Sequence, residues 1–156
     1  MKILIAEDDD ISRMILKKIL NHIGICDTVV DGTEAIEAFQ LAWEDEVPYD
    51  LILLDIMMPD VNGQEALKQI RGLERQMGIR GSREVKVIML TALDDPTSVV
   101  EAYYRGGATS YLVKPIETEK LMTELINLGL LSKSEASFFG SQGDKKNGKK
   151  DTGTHR

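Results

Sequence analysis

The stretch Leu51-Ile52-Leu53-Leu54-Asp55-Ile56-Met57-Met58-Pro59-Asp60-Val61-Asn62-Gly63 constrains the fold more than any other part of this 156-residue chain. Four consecutive apolar residues between polar neighbours read as a strand buried on both faces, as in a parallel sheet covered by helices. Such a strand delivers Asp55 at its carboxyl end, which in an open α/β sheet is the edge where ligands bind. Pro59 and Gly63 interrupt any continuation, so a loop separates Asp55 from the next helix. A single carboxylate at a strand end is more often a solvated or capping Asp, so the weight on Asp55 depends on what the other strand ends carry.

The rest of the chain repeats the same unit. Lys2 to Ala6 reads as a strand, Glu7-Asp8-Asp9-Asp10 as an acidic turn, and Ile11, Met14, Ile15, Ile19 and Ile23 as the apolar stripe of a helix. Asp9 or Asp10 is placed to cap that helix, and Gly24 to end it as a left-handed cap. A second strand covers Ile25 to Val30, and the helix after it carries Ala35, Ile36, Phe39, Ala42 and Trp43 as core residues. After the Asp55 strand, Ala66, Ile70, Leu73 and Met77 mark a third helix, and 78–83 a polar, basic loop. Val85 to Leu90 forms a fourth strand that presents Thr91. Asp94-Asp95-Pro96 starts a helix that Gly106-Gly107 ends. Tyr111-Leu112-Val113 is a short fifth strand that presents Lys114, and a last helix runs from about Glu117 to Leu130. Five strands alternating with five helices specify an α/β domain with a parallel, doubly wound sheet and right-handed crossovers.

One domain over residues 1–131 suits this length, and 42% apolar residues suffice for its core. No apolar run is long enough to cross a membrane, and the chain enters its first strand directly, so a cytoplasmic location is expected. Cys26 lies in an apolar, β-branched run and reads as a small buried hydrophobe, and His22 lacks companions at metal-ligand spacing. The net charge of −7 divides into −10 for residues 1–131 and +3 for residues 132–156. An acidic body argues against direct nucleic-acid binding, which needs clustered cations. The tail over 132–156 is rich in Gly, Ser and Lys, with Phe138 and Phe139 as its only large apolar residues. That composition points to disorder, with a short docking segment as the alternative.

All the chemistry-bearing residues fall at one edge of the sheet: Glu7 and Asp8 after the first strand, Asp55 after the third, Thr91 after the fourth and Lys114 after the fifth. Three carboxylates with a single Lys repel one another unless a hard divalent cation neutralises them. Oxygen ligands in small number select Mg²⁺ or Mn²⁺, which keep waters and await a phosphate oxygen. The most protruding carboxylate can then act as nucleophile and form an aspartyl-phosphate, with the Thr91 hydroxyl donating to a phosphoryl oxygen. No Gly-rich phosphate loop and no G-x-G-x-x-G motif is present, so nucleotide binding is disfavoured.

Residues 2 to about 130 resemble a receiver domain of the two-component response regulators, of the chemotaxis-regulator type. Five motifs carry the resemblance in order: Glu7-Asp8, the Asp55 to Gly63 loop, Leu90-Thr91-Ala92, Tyr111-Leu112-Val113 and Lys114-Pro115. The resemblance implies a flavodoxin-like (βα)5 fold with strand order 2-1-3-4-5. It implies that Asp55 accepts a phosphoryl group from a sensor histidine kinase or phosphotransfer protein. It assigns Mg²⁺ to Asp8, Asp55 and the Met57 backbone carbonyl, with Glu7 acting through water. It also implies a switch in which Thr91 moves toward the phosphoryl group and Tyr111 rotates inward. That movement remodels the surface of the fourth helix, fifth strand and last helix for a downstream protein target. A cis Lys114-Pro115 bond belongs to the same pattern, and a phosphorylation-dependent homodimer stays open.

Two departures from the family pattern stand out. Glu7 occupies a position where Asp is commonest, which lengthens one arm of the metal site. Met57 and Leu93, two residues beyond Asp55 and Thr91, are apolar, so an attacking water is hindered and a long-lived aspartyl-phosphate is expected. A Mg²⁺-dependent phosphohydrolase with an Asp nucleophile is the enzymatic alternative. Its best-known family needs a second Asp at the position that Met57 holds, so a switch with only self-phosphorylation and slow autodephosphorylation is favoured. An unphosphorylated scaffold is the third reading, disfavoured by the complete set of site residues. The tail is too short for an output domain, which leaves a stand-alone receiver or a piece of a longer regulator.

Overall fold

The computed structural model describes residues 1–92 and 107–137. Parallel strands β1 (Lys2–Ala6), β2 (Ile25–Val29), β3 (Leu51–Asp55), β4 (Lys86–Thr91) and β5 (Ser110–Val113) form one sheet in the order β2-β1-β3-β4-β5. The longer helices among the described residues are α1 (Asp10–Leu20), α2 (Gly32–Glu44), α3 (Gly63–Gln76) and α4 (Thr118–Asn127), and a 3-10 turn spans Gly81–Arg83. The helix expected from Asp94 lies outside the described residues.

The near-continuous apolar runs of the central strands follow from burial on both faces, with successive side chains alternating between them. Ile3, Ile5, Leu51, Leu53, Ile88 and Leu90 meet Leu16 and Leu20 of α1 and Leu121 and Leu125 of α4. On the opposite face Leu4, Ile52, Leu54, Val87 and Met89 meet Ala35 and Phe39 of α2 and Ala66, Leu67 and Ile70 of α3. The register aligns the strand ends: Ala6 pairs with Leu54, Asp55 with Leu90 and Thr91 with Val113. The residues that follow β1 and β5 therefore emerge beside Asp55.

Several local expectations shift. The fully buried residues of α1 are Leu16 and Leu20, with Ile19 and Ile23 packed partly buried beside them as expected, whereas Ile11 and Met14 are each 64% exposed and Ile15 is 49% exposed. Leu16 and Leu20 lie one position, about 100°, around the helix from Ile15 and Ile19. Both stripes are apolar, so periodicity alone does not choose between them. In α3 the buried face includes Arg71 and Glu74, and Met77 is exposed. Gly24 is not left-handed; a Cβ there would lie 2.5 Å from the Met1 carbonyl oxygen, so close approach to β1 excludes a side chain. Helix α4 stops three residues early, with Leu128 as its cap and Gly129 at φ +74°. The tail begins ordered: residues 133–137 are helical and Ala136 packs on the α1/α4 face. The remainder, 138–156, lies outside the described residues. Among the described residues no helix is long and apolar enough to cross a membrane.

The α1 phase is tested by two truncations. Leu16→Ala should cost about 2–5 kcal/mol in urea unfolding, the range for emptying a packed core site. Ile15→Ala, on the exposed stripe, should change stability by no more than about 0.5–1 kcal/mol.

Candidate functional site

Three loops converge at the carboxyl edge of the sheet. After β1 the chain turns into α1, whose N-cap Asp9 accepts a hydrogen bond from the Ser12 N–H. Hydrogen bonding from the Ser12 hydroxyl and then from its N–H holds the Asp9 carboxyl below its ordinary pKa. Capping by Asp9 leaves Glu7 and Asp8 for other work. Glu7 is fully buried and Asp8 is exposed at the rim. The loop is clamped by Arg13, whose guanidinium donates to the Glu7 carbonyl at 2.9 Å and the Asp8 carbonyl at 3.4 Å. Sequence reasoning missed Arg13; its signal was a lone cation in the first turn after an acidic cluster.

After β3 the loop returns to α3 at Asn62, whose side chain caps the helix by accepting from the Glu65 N–H. The Gly63 N–H donates to the Ile56 carbonyl, and a Cβ on Gly63 would lie 2.2 Å from the Asp55 carbonyl oxygen. Glycine at this position lets the helix start fold directly onto the strand end. Asp55, only 4% exposed, accepts the Met57 N–H on Oδ1 at 3.2 Å.

After β5, Lys114 is drawn into place by its own N–H, which donates to the Thr91 carbonyl at 2.7 Å. The Lys114–Pro115 bond is cis, as expected. Lys114 Nζ donates to both oxygens of Glu7 at 2.8 Å and to Asp55 Oδ2 at 3.1 Å. Thr91 is 1% exposed and its hydroxyl donates to the Ala92 carbonyl at 3.3 Å, and Tyr111 is 44% exposed. Leu93 lies outside the described residues, and Met57 is 67% exposed beside Asp55.

Glu7, Asp8 and Asp55 can each bring one carboxylate oxygen within 4.8 Å of the other two. At that range each pair of like charges repels by roughly 3–4 kcal/mol at an effective dielectric constant near 20. One ammonium neutralises only part of this. Burial pushes the Glu7 carboxyl up to about 7; Asp55 adds to the rise and Lys114 opposes it. Burial alone would lower the Lys114 pKa, but the hydrogen bond to Glu7 and the charge of Asp55 raise it above its ordinary value. A set of three hard oxygen donors with a surplus of negative charge fits a small divalent cation.

The arrangement has close relatives. A family model described as the response regulator receiver domain matches residues 3–126. The chain belongs to the response regulator receiver family. It is 31% identical to the sensory/regulatory protein RpfC of Xanthomonas campestris over 137 residues, which is 88% of this chain and 18% of RpfC. Among solved structures it is similar to the receiver domain of the regulator Ssk1, crystallised with the histidine phosphotransfer signalling protein Ypd1 of Saccharomyces cerevisiae. That match has a TM-score of 0.70 at 28% identity and covers 87% of this chain and 95% of the other. A receiver domain of sensor histidine kinase PA1611 from Pseudomonas aeruginosa, with magnesium ion coordinated in its active-site cleft, matches with a TM-score of 0.65. It is 26% identical over 81% of this chain and 95% of that one.

Members of this family are signalling switches of two-component phosphorelays and bind Mg²⁺ at an acidic pocket. The corresponding pocket here is Glu7, Asp8 and Asp55, with Lys114 already inside it. The raised Glu7 pKa means that the folded domain holds this proton more tightly than the unfolded chain does. Its stabilising contribution is complete below about pH 4.5 and is lost as pH rises through about 7. Without Mg²⁺, the urea midpoint should therefore fall between about pH 5 and about pH 8, and Glu7→Gln should flatten that fall. Added Mg²⁺ should raise Tm more at about pH 8 than at about pH 6, because the metal competes with the Glu7 proton.

Proposed function

We propose that this chain is a phosphoryl-accepting switch in which Asp55 is the acceptor. The observation that carries this reading is the support around its carboxylate: the Met57 N–H on Oδ1, Lys114 on Oδ2, and Glu7 and Asp8 alongside. Asp8, Asp55 and the Met57 carbonyl would hold Mg²⁺, or Mn²⁺ in its place, with Glu7 acting through water. When bound, the cation would neutralise charge on the transferring phosphoryl oxygens. Lys114 does the same from the β5 side, and its bonds to Glu7 and Asp55 keep the acceptor oriented. An Asp55 oxygen attacks phosphorus, the bond from phosphorus to the donor's imidazole nitrogen breaks, and the imidazole keeps the electron pair.

The donor is a sensor histidine kinase or a phosphotransfer protein, the latter in keeping with the Ypd1 complex of the similar Ssk1 receiver. On this chain the exposed stripe Ile11, Met14 and Ile15 of α1 stands directly after the acidic loop and suits an apolar helical partner. Once Asp55 carries the phosphoryl group, Thr91 exchanges its bond to the Ala92 carbonyl for a phosphoryl oxygen. Tyr111, now outward, turns in and alters the β5 surface offered to a downstream protein. The hydrolase reading lacks a general acid, since the side chain at Met57 cannot donate a proton to a leaving group.

Incubation with Mg²⁺ and acetyl phosphate should add one phosphoryl group to the intact mass of the parent protein and none to Asp55→Asn. Continuous phosphate release would favour the hydrolase, and no gain would favour a scaffold. The aspartyl-phosphate should outlast the seconds timescale at room temperature, because apolar Met57 stands beside the acceptor and the residue two positions after Thr91 is the apolar Leu93. Ile15→Glu should reduce transfer from a cognate phosphotransfer protein about tenfold or more, the scale of a lost interface anchor. The same variant should leave labelling by acetyl phosphate unchanged.

A further inference from the structure

Arg13 stands where helix electrostatics does not favour a cation. It lies in the first turn of α1, four positions after the cap Asp9 and next to the partial positive charge of the helix N-terminus. Its guanidinium is nevertheless drawn inward, with only 20% of the side chain exposed. One nitrogen, Nη1, donates to the Glu7 carbonyl at 2.9 Å and to the Asp8 carbonyl at 3.4 Å, and Nη2 pairs with the Asp10 carboxylate.

Those two carbonyls belong to the peptide units that flank the Asp8 Cα. Each unit is planar, so Asp8 has only two soft backbone torsions, and holding both planes fixes the direction of its Cα–Cβ bond. The Glu7 N–H donates to the Val29 carbonyl at 3.1 Å, which anchors the start of the same loop to β2. The three carboxylates of the site differ in what else holds them. Both oxygens of Glu7 bind Lys114, and Asp55 is held by the Met57 N–H and by Lys114. Among the described residues the exposed Asp8 carboxylate has no hydrogen-bond or ion-pair partner, so its position follows from its backbone alone.

We propose that Arg13 is a positioning residue for the divalent cation, fixing the backbone of Asp8 so that its otherwise unheld carboxylate meets those of Glu7 and Asp55. This rests on the Mg²⁺ site proposed above and adds the residue that tunes it. Mg²⁺ demands near-ideal octahedral geometry at short range, whereas Ca²⁺ accepts longer and more varied bonds. A ligand left to wander therefore costs the smaller ion more, and Arg13 acts on selectivity as well as on affinity. Lysine does not replace it, because an ammonium is a point charge, whereas the planar guanidinium fork spans two carbonyls and a carboxylate at once.

Apparent affinities for Mg²⁺ and Ca²⁺ are taken from the rise of Tm with metal concentration at constant ionic strength, in the parent, Arg13→Lys and Arg13→Met. The metal-free Tm of each protein is the control for folding. Loss of a group that orients a metal ligand costs about 10–100-fold in affinity, and that loss is expected for Mg²⁺ in both variants, with a smaller loss for Ca²⁺. A pure charge effect has the opposite sign: removing a cation beside the site tightens both ions in Arg13→Met and leaves Arg13→Lys like the parent. That result would overturn the proposal, as would equal losses for the two ions or a lower metal-free Tm with unchanged Mg²⁺ affinity. Labelling of Asp55 by acetyl phosphate is the second readout. Raising Mg²⁺ about 10–100-fold should restore labelling of Arg13→Lys, and failure to restore it would give Arg13 a role other than holding Asp8. Absence of any Mg²⁺ effect on the parent would overturn the metal site itself and this proposal with it.

Discussion

The Lys114 ammonium is the contact on which the rest of the site depends. It joins the ends of β1, β3 and β5 by bonding Glu7 and Asp55, which are 107 and 59 residues away in the chain. Without it, buried Glu7 and nearly buried Asp55 would face each other with no counter-charge, a cost of several kcal/mol that single-partner removal from a buried pair typically incurs. The sheet order makes this contact available: β3 lies between β1 and β4, and the register brings Ala6, Asp55, Thr91 and Val113 to one edge. Charge and topology thus support each other.

The same economy governs the loops. The ends of β1, β2 and β3 are each followed within a few residues by a capped helix start: Asp9 caps α1, Asp31 caps α2 and Asn62 caps α3. The α2 start also touches the Asp55 loop, since the Gly32 N–H donates to the Val61 carbonyl and a Cβ on Gly32 would lie 2.1 Å from that oxygen. These caps satisfy backbone donors that would otherwise be orphaned at the helix ends. They also leave Asp8 and Asp55 with oxygens turned to a common point.

A second polar cluster supports the far side of the sheet. Arg71 donates to Glu74, to the Val85 carbonyl and to the Gly107 carbonyl, while Glu74 accepts the Val85 N–H. Both residues lie on the buried face of α3, rotated around the helix from the stripe of Leu73 and Met77 that hydrophobic periodicity picks out. A buried ion pair has no apolar signature, and its cost is offset only by partners supplied from β4 and the chain before β5. The α1 stripe failed to be read for a related reason. Ile11, Met14 and Ile15 are exposed while Ile19 and Ile23 pack partly buried beside Leu16 and Leu20, and two neighbouring apolar stripes give periodicity no means to choose the buried one.

The sequence by itself determined the alternation of strands and helices and the placement of Asp55, Thr91 and Lys114 at strand ends, because these follow from local periodicity and turn chemistry, and it narrowed the α1 cap to Asp9 or Asp10. Family motifs added the strand order and the cis bond before Pro115. Only the tertiary structure decided which face of α1 is buried and that both oxygens of Glu7 bind Lys114. It also decided that Gly24 and Gly63 are required by close approach, and that residues 133–137 form a separate helical turn after α4. These depend on atoms that meet only after the chain has crossed over itself, where distance in space is unrelated to distance along the sequence.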